Sequence, residues 1–169
     1  DLIRSKDKHF RPADPQIGPD GALWFGDWAN ALIGHMQYSQ RDPNRDHTRG
    51  RIYRLVHKDR PLVKSVTQFD KSVPELLSQL SEYEWRTQYR ARRELRDRPT
   101  SDVVAGITTW LAGLKKNNPD YDRLRCEALW TLQSHHQLNS DLLTDVLTNA
   151  AAFDARAAAA RIIADERNS

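Results

Sequence analysis

This sequence of 169 residues is poor in the residues from which many functional sites are built. Cys126 is its only cysteine, so the chain alone cannot form an intrachain disulfide, a zinc cluster or a C-x-x-C-H haem site. No run approaches the roughly 18 apolar residues that a membrane-spanning helix requires. The chain has no G-x-S-x-G, no phosphate-binding glycine loop and no H-E-x-x-H. Several common catalytic centres and a membrane span are thereby excluded.

The composition is typical of a soluble protein, with 38% hydrophobic and 29% charged residues. The length allows one domain or two small ones, and we predict two segments, residues 1–66 and 67–169. The chain begins at Asp1 and has no signal-peptide pattern, so we expect an excised piece or a processed product.

The basic residues are clustered although the net charge is only +3. They are concentrated in Arg41 to Lys64 and in Arg86 to Arg98. Such clusters can mark an anionic partner. In the second cluster, Glu84, Glu94 and Asp97 intersperse the arginines, which favours a solvated helix face. We therefore expect any nucleic-acid binding to be weak and without sequence preference.

The first segment has the pattern of a small antiparallel sheet. Gly18 to Gly21, read Gly-Pro-Asp-Gly, predicts a reverse turn. It joins an edge strand within Phe10 to Ile17 to a strand at Ala22 to Trp28, and a further strand is predicted at Gly50 to Val56. Asn30 to Met36 fits a strand or a loop. Because both faces of Ala22 to Trp28 carry apolar side chains, the segment fits a β-propeller blade or a hairpin of an ordinary α+β domain.

After residue 72 the apolar period changes from two to about 3.6, which predicts helices. Ser72 has the character of an N-cap, because Pro74 and Glu75 follow it. Pro99 and Pro119 separate later helices. The six predicted helices are Ser72 to Leu80, Tyr83 or Glu84 to Arg96, Ser101 to about Lys116, Asp120 to Ser134, Ser140 to Ala150 and Asp154 to Glu166.

A repeated small residue suggests that these helices form three hairpins. The second helix of each pair contains Gln88-x-x-Ala91-x-x-x-Leu95, Arg125-x-x-Ala128-x-x-x-Leu132 or Arg156-x-x-Ala159-x-x-x-Ile163. A small residue lets one helix approach its partner, and the apolar residue one turn later fills the seam. The pattern indicates a short HEAT-like array, with an irregular bundle as the alternative. The fold class is thus α+β, a short antiparallel sheet segment followed by a helical array.

Several reactive or aromatic residues of the helical segment are expected to pack rather than to perform chemistry. We predict that Cys126 is a small packing residue. We expect Trp85, Trp110 and Trp130 to be core or interhelix anchors. His135 and His136 stand near a helix end, where the helix dipole is the expected partner.

The region from Asp27 to Arg49, at the end of the predicted strand Ala22 to Trp28 and after it, contains several side chains that could bind a metal ion or transfer protons. No pair of these residues has the sequence spacing that is diagnostic of a metal site on a helix. The alternative is a self-bonded loop whose arginines neutralise its carboxylates, and we favour this alternative. The candidate residues are Asp27, Trp28, His35, Arg41, Asp42, Asn44, Arg45, Asp46, His47 and Arg49.

Three motifs in this order carry a resemblance to a known family: "GPDGALWFGDW", "IGHMQ" and "RDPNRDHTRGRIYR". The stretch from Phe10 to about Leu62 resembles the closing propeller blade of the planctomycete-type membrane-bound dehydrogenases, whose propeller is similar to that of quinoprotein glucose dehydrogenase. In that family the propeller precedes helical repeats and often a c-type cytochrome segment.

The resemblance implies a secreted parent protein, periplasmic or extracellular, that oxidises sugars or alcohols. It implies pyrroloquinoline quinone or calcium in the parent and haem c in a segment missing from this chain. One blade cannot enclose a cofactor that a whole propeller encloses, so we expect no cofactor and no activity here. The expected partners are the rest of the propeller or a protein bound by the helical array. A free-standing interaction module and a nucleic-acid-binding repeat protein are the alternatives.

Overall fold

The computed structural model describes residues 1–31, 42–43, 46 and 48–166. Two compact units make up the chain, Asp1–Ser65 and Val66–Ser169. A three-stranded antiparallel sheet precedes six helices in the described residues, which confirms the α+β class. Residues 32–36 of the predicted segment Asn30 to Met36 lie outside the described residues, and its strand and loop alternatives stay open.

The first unit contains the strands β1 (Pro12–Ile17), β2 (Leu23–Asp27) and β3 (Arg51–Leu55), in that spatial order. Both pairs are antiparallel, with Phe25 opposite Tyr53 and Asp27 opposite Arg51. The turn between β1 and β2 forms as predicted, with Gly21 at φ 78° where a side chain would be strained. The Trp24 indole N–H donates to Asp20 Oδ1 at 3.0 Å and folds over this turn.

One face of the sheet carries an aromatic cluster. Phe25 is buried and stacks on Tyr53 at 5.3 Å between ring centroids, and Phe10 meets both rings edge-on. The opposite face is only partly covered within this unit. There the Arg54 guanidinium lies 5.3 Å from the Trp24 ring, and Ile52 is 78% exposed. The face with the aromatic cluster also carries Asp27, the last residue of β2.

The second unit contains three successive helix pairs. Glu75 accepts hydrogen bonds from the amide and the hydroxyl of Ser72, which confirms Ser72 as the N-cap of the first helix. The helices are α1 (Val73–Gln79), α2 (Trp85–Arg96), α3 (Thr100–Gly113), α4 (Tyr121–Ser134), α5 (Ser140–Asn149) and α6 (Phe153–Glu166).

The predicted bounds of α3 are wrong at both ends. Ser101 is not its cap, because Pro99 holds the capping position in an extended conformation and Thr100 is already helical. The Ser101 hydroxyl donates to the neighbouring Asp102. At the other end, Leu114 turns to an extended conformation, so the helix stops before Lys116.

Two apolar clusters hold the helices together, and α4 contributes to both. Ala128 and Leu132 of α4 pack in the cluster that includes α1, α2 and α3. Cys126 and Leu129 pack in the cluster that includes α5 and α6. The second helices of the pairs, α2, α4 and α6, contact one another in sequence. The unit is therefore a helical repeat-like array.

The repeated alanines are fully buried in all three copies, at Ala91, Ala128 and Ala159. Leu95 and Leu132 are buried one turn later, as predicted. The third copy differs, because Ile162 is buried and Ile163 only partly so. The pattern is thus displaced by one position in α6.

The tryptophan prediction is confirmed for Trp110 and wrong for Trp85. Trp110 packs against the first cluster, whereas Trp85 is 60% exposed. Trp130 is 39% exposed and lies between α2 and α4. The buried face of α2 follows Thr87, Ala91 and Leu95, so Trp85 points away from it and stacks with Arg86. Aromatic size alone does not determine which side of a helix is covered.

His135 and Cys126 are both buried. The His135 ring nitrogens lie 3.0 Å from the Leu95 carbonyl and 3.1 Å from the Thr100 hydroxyl, so the imidazole connects three helices at their ends. Burial raises the pKa of the Cys126 thiol to about 11, which suits a packing role and not a nucleophile. In the described part of the chain, no helix is long and apolar enough to cross a membrane.

Candidate functional site

Asp27 ends β2 with a carboxylate that is wholly inaccessible to solvent. Its Oδ1 accepts hydrogen bonds from the amides of Arg11 at 2.7 Å and Ala29 at 2.9 Å. Its Oδ2 lies 2.8 Å from Arg51 Nε, an ion pair without hydrogen-bond alignment. Burial opposes ionisation most strongly, but the two amides and the Arg51 charge together hold the Asp27 pKa below its usual range.

Arg51 connects this buried carboxylate to a second one near the start of the chain. Its Nη1 donates to Asp7 Oδ2 at 2.6 Å. The hydrogen bond from Arg51, followed by the His9 amide, lowers the pKa of Asp7 to about 2. One arginine of β3 therefore ties β2 to the segment before β1.

Asp46 organises the turn that leads into β3. Its Oδ1 accepts hydrogen bonds from the Thr48 amide, the Thr48 hydroxyl and the Arg49 amide. Arg49 Nε lies 3.6 Å from its other oxygen. The Thr48 donors, with smaller contributions from Arg49, lower the Asp46 pKa. Asp46 is thus bonded within its own turn, and its main donor, Thr48, was not among the predicted site residues.

The other predicted site residues are only partly accounted for. Trp28 follows Asp27 and is 53% exposed, and Asp42 is half-buried. Five more lie outside the described residues: His35, Arg41, Asn44, Arg45 and His47.

A cleft of about 460 Å³ brings together residues that the sequence did not group. Asp7, His9, Thr48 and Arg51 were not predicted site residues. Nothing local identifies Asp7 or His9, because they stand in a polar stretch without a period. The strand pattern of β3 did place Arg51, but not its partner. The cleft is lined by Asp7, His9, Ala29, Asp46, Thr48, Arg49, Gly50 and Arg51.

Asp27 and Asp46 do not fit the calcium that the resemblance implies for the parent. Asp27 and Asp46 each have a guanidinium beside one oxygen and backbone amides on the other, and a cation would have to displace these donors. Within residues 1–31, 42–43, 46 and 48–166, no three His, Cys, Asp or Glu residues are grouped as metal ligands. The arrangement holds loops together by fixed charge pairs.

Comparison with known proteins gives one match. No curated protein and no solved structure is similar to the chain. The matching family is described as a domain of unknown function (DUF7133), and it covers residues 1–59, about a third of the chain. These residues contain the sheet and the candidate site, whereas the helical unit lies outside the match. Over residues 1–59, this chain is similar to the DUF7133 domain.

Proposed function

We propose that this chain is part of a larger secreted, propeller-containing dehydrogenase-like protein. In this proposal the sheet is a terminal blade with a structural role, and the helical unit binds a protein partner. The observation that carries it is the exposure of large apolar side chains on both faces of the sheet. A blade between neighbouring layers buries both of its faces.

The exposed side chains lie where such neighbours would pack. Ile52 is 78% exposed on the face that also carries Trp24. Ile17 and Leu55 are 55% and 37% exposed on the face that carries Phe25. Burying a side chain such as Ile52 would contribute about 1.5–3 kcal/mol. The sheet thus offers apolar area on both sides to a covering layer.

The candidate site supports a structural role. A general base needs a free oxygen and a pKa near the working pH. The carboxylates of Asp27 and Asp46 instead accept permanent hydrogen bonds, and their pKa values are lowered. Any pyrroloquinoline quinone, calcium or haem c of the larger protein would accordingly belong to other segments, and this chain alone is inactive.

Thiol labelling tests the blade assignment. Ile52→Cys should react rapidly with a thiol reagent in this chain, where position 52 is exposed, and slowly in the protein encoded by the complete gene. The native Cys126 adds little background, because it is buried with a raised pKa. Ser101→Cys on α3 is the control and should react in both proteins. Equal labelling of Ile52→Cys in both, or a gene without further blade-like segments, would overturn the proposal.

A free-standing HEAT-like interaction module is the second candidate function. It is favoured by exposed aromatic side chains on the helical unit, Trp85, Tyr89 and Trp130, which are common in binding surfaces. Both candidate functions give the helical unit a protein-binding role. They differ in whether the sheet packs against further propeller blades. The Ile52→Cys experiment therefore separates them, since a free-standing module leaves Ile52 exposed in the complete protein.

A further inference from the structure

A groove lies between α2 and α4, the second helices of the first two pairs. Its volume is about 350 Å³. Tyr89 and Trp130 line it and are 50% and 39% exposed. Ser134 lines the α4 side near the end of that helix. We call this surface the α2–α4 groove. Its aromatic residues stand on two packed helices, so no backbone ordering would be needed when a ligand covers them.

The groove also carries three arginines of α2, and they differ in their partners. Arg92 is committed to Glu127, with Nε and Nη2 at 2.7 and 2.6 Å from the two carboxylate oxygens. Within the part of the chain that the structure describes, the carboxylate partner of Arg96 is Asp97, at 3.6 Å between two exposed side chains, a pair of little energetic weight. Arg93 is exposed and has no carboxylate partner among the described residues. Two guanidinium groups therefore remain for a ligand.

We propose that the α2–α4 groove binds an acidic peptide segment of a protein partner. Carboxylates of the segment pair with Arg93 and Arg96, and one apolar side chain lies between Tyr89 and Trp130. The proposal deepens, and rests on, the protein-binding role proposed for the helical unit. Guanidinium groups hold carboxylates in bidentate pairs, and Trp, Tyr and Arg are the residues that dominate binding energy at protein interfaces.

Charge and size favour a peptide over a nucleic acid. Glu84, Glu94 and Asp97 intersperse the arginines of α2, so the helix has no continuous basic stripe for a phosphate backbone. The groove accommodates a few side chains. An acidic segment uses Arg93, the weakly paired Arg96 and the two rings together.

Fluorescence anisotropy with the complete chain tests the proposal. The probe is a labelled synthetic peptide of Asp and Glu residues with one central Phe, and the comparison peptide has Asn and Gln in their place. We expect the acidic peptide to bind and the neutral one to bind at least tenfold more weakly. Arg93→Glu should weaken binding by about ten- to hundredfold, and Trp130→Ala by about tenfold. Added salt should weaken the acidic peptide's binding.

Arg90→Glu is the matched control, because it makes the same charge change on α2 at a residue that does not line the groove. It should change the affinity by less than about threefold. Circular dichroism would verify that each variant is folded. Absence of acidic-peptide binding, an unchanged affinity in folded Arg93→Glu, or tighter binding of oligothymidylate at the same salt would overturn the proposal. The blade assignment would still be decided by Ile52→Cys labelling, so the two failures are distinguishable.

Discussion

Arg92 and Glu127 form a bidentate ion pair between α2 and α4, and the Glu127 side chain is only 2% exposed. The two residues are the sequence neighbours of Ala91 and Ala128, the buried alanines of α2 and α4. The Arg92 side chain is 38% exposed, so the pair has one buried and one accessible partner. Because of this difference in exposure, substitutions of Arg92 and of Glu127 should lower the free energy of unfolding by different amounts.

We expect Arg92→Leu to destabilise the helical unit more than Glu127→Gln. The first change leaves the buried Glu127 carboxylate with Arg123, at 3.7 Å, as its remaining ion pair among the described residues, and should cost about 2–4 kcal/mol. The second leaves an arginine that can reach water and should cost about 1–2 kcal/mol. Urea denaturation measures both. Arg93→Leu, at an exposed position on the same helix, should remain within about 0.5 kcal/mol of wild type. The opposite order would show that Glu127 is not the buried partner.

Glu75 should make the stability of the helical unit depend on acid pH. Hydrogen bonds from Lys71 and from the amide and hydroxyl of Ser72 lower its pKa from 4.5 to about 2. Its contribution is therefore fully present above pH 4.5 and is lost as the pH falls toward about 2. Urea denaturation across this range should show a smaller loss of stability for Glu75→Gln than for wild type. Parallel curves for the two proteins would contradict the assignment.

Two glycines of α3 should respond oppositely to alanine. A Cβ on Gly106 would lie 2.7 Å from Val73 Cγ1 and 3.2 Å from Leu77 Cδ1, and the β-branched Val73 has little freedom to move. Gly106→Ala should therefore cost about 1–3 kcal/mol. Gly113 has open space around it, so Gly113→Ala should stabilise by up to about 1 kcal/mol. Thermal melts compare the pair, and a stabilising Gly106→Ala would refute the close packing of α1 on α3.

The turn at Asp46 should respond to loss of its acceptor oxygen and not to calcium. Asp46→Ala removes the acceptor of three hydrogen bonds and should lower the melting temperature of the sheet unit, while Asp46→Asn, which keeps an oxygen, should lower it less. Added calcium should leave the melting temperature unchanged. A dose-dependent increase that Asp46→Ala removes would instead identify a metal site.

The fragment Val66–Ser169 should fold without the sheet. Both apolar clusters of the helices consist of residues within this fragment, and each helix packs mainly on its neighbours in the chain. Circular dichroism should show a helical spectrum with a cooperative thermal transition. A disordered spectrum would mean that the sheet unit is a required cap.

Local sequence chemistry predicted much of the helical unit. Ser72 with Glu75 predicted the beginning of α1, and the alanine repeat identified the buried face of α2, α4 and α6. These predictions succeed because caps and apolar periods act over one or two turns. The error at α3 has the same origin: Pro99 was assigned only to the end of the preceding helix and the cap to Ser101, whereas Pro99 itself holds the capping position.

The candidate site was less predictable. Asp27 and Asp46 were among the candidate residues, but Asp7 was missed because its partner Arg51 is far away in sequence. Trp85 was expected to be a core or interhelix anchor, and that expectation was wrong for the same lack of long-range information. The side of a helix that is covered depends on what packs there, not on the size of the side chain.

By itself, the sequence determined the order of elements, the turn at Gly18 to Gly21, most helix ends and the small buried residues, since these depend on neighbours in the chain. The tertiary structure alone decided that Arg92 meets Glu127, that Arg51 joins Asp7 to Asp27, and that Tyr89 and Trp130 share a groove. Such pairings depend on how distant segments pack, and a charge or an aromatic ring can serve several partners equally well until that packing selects one.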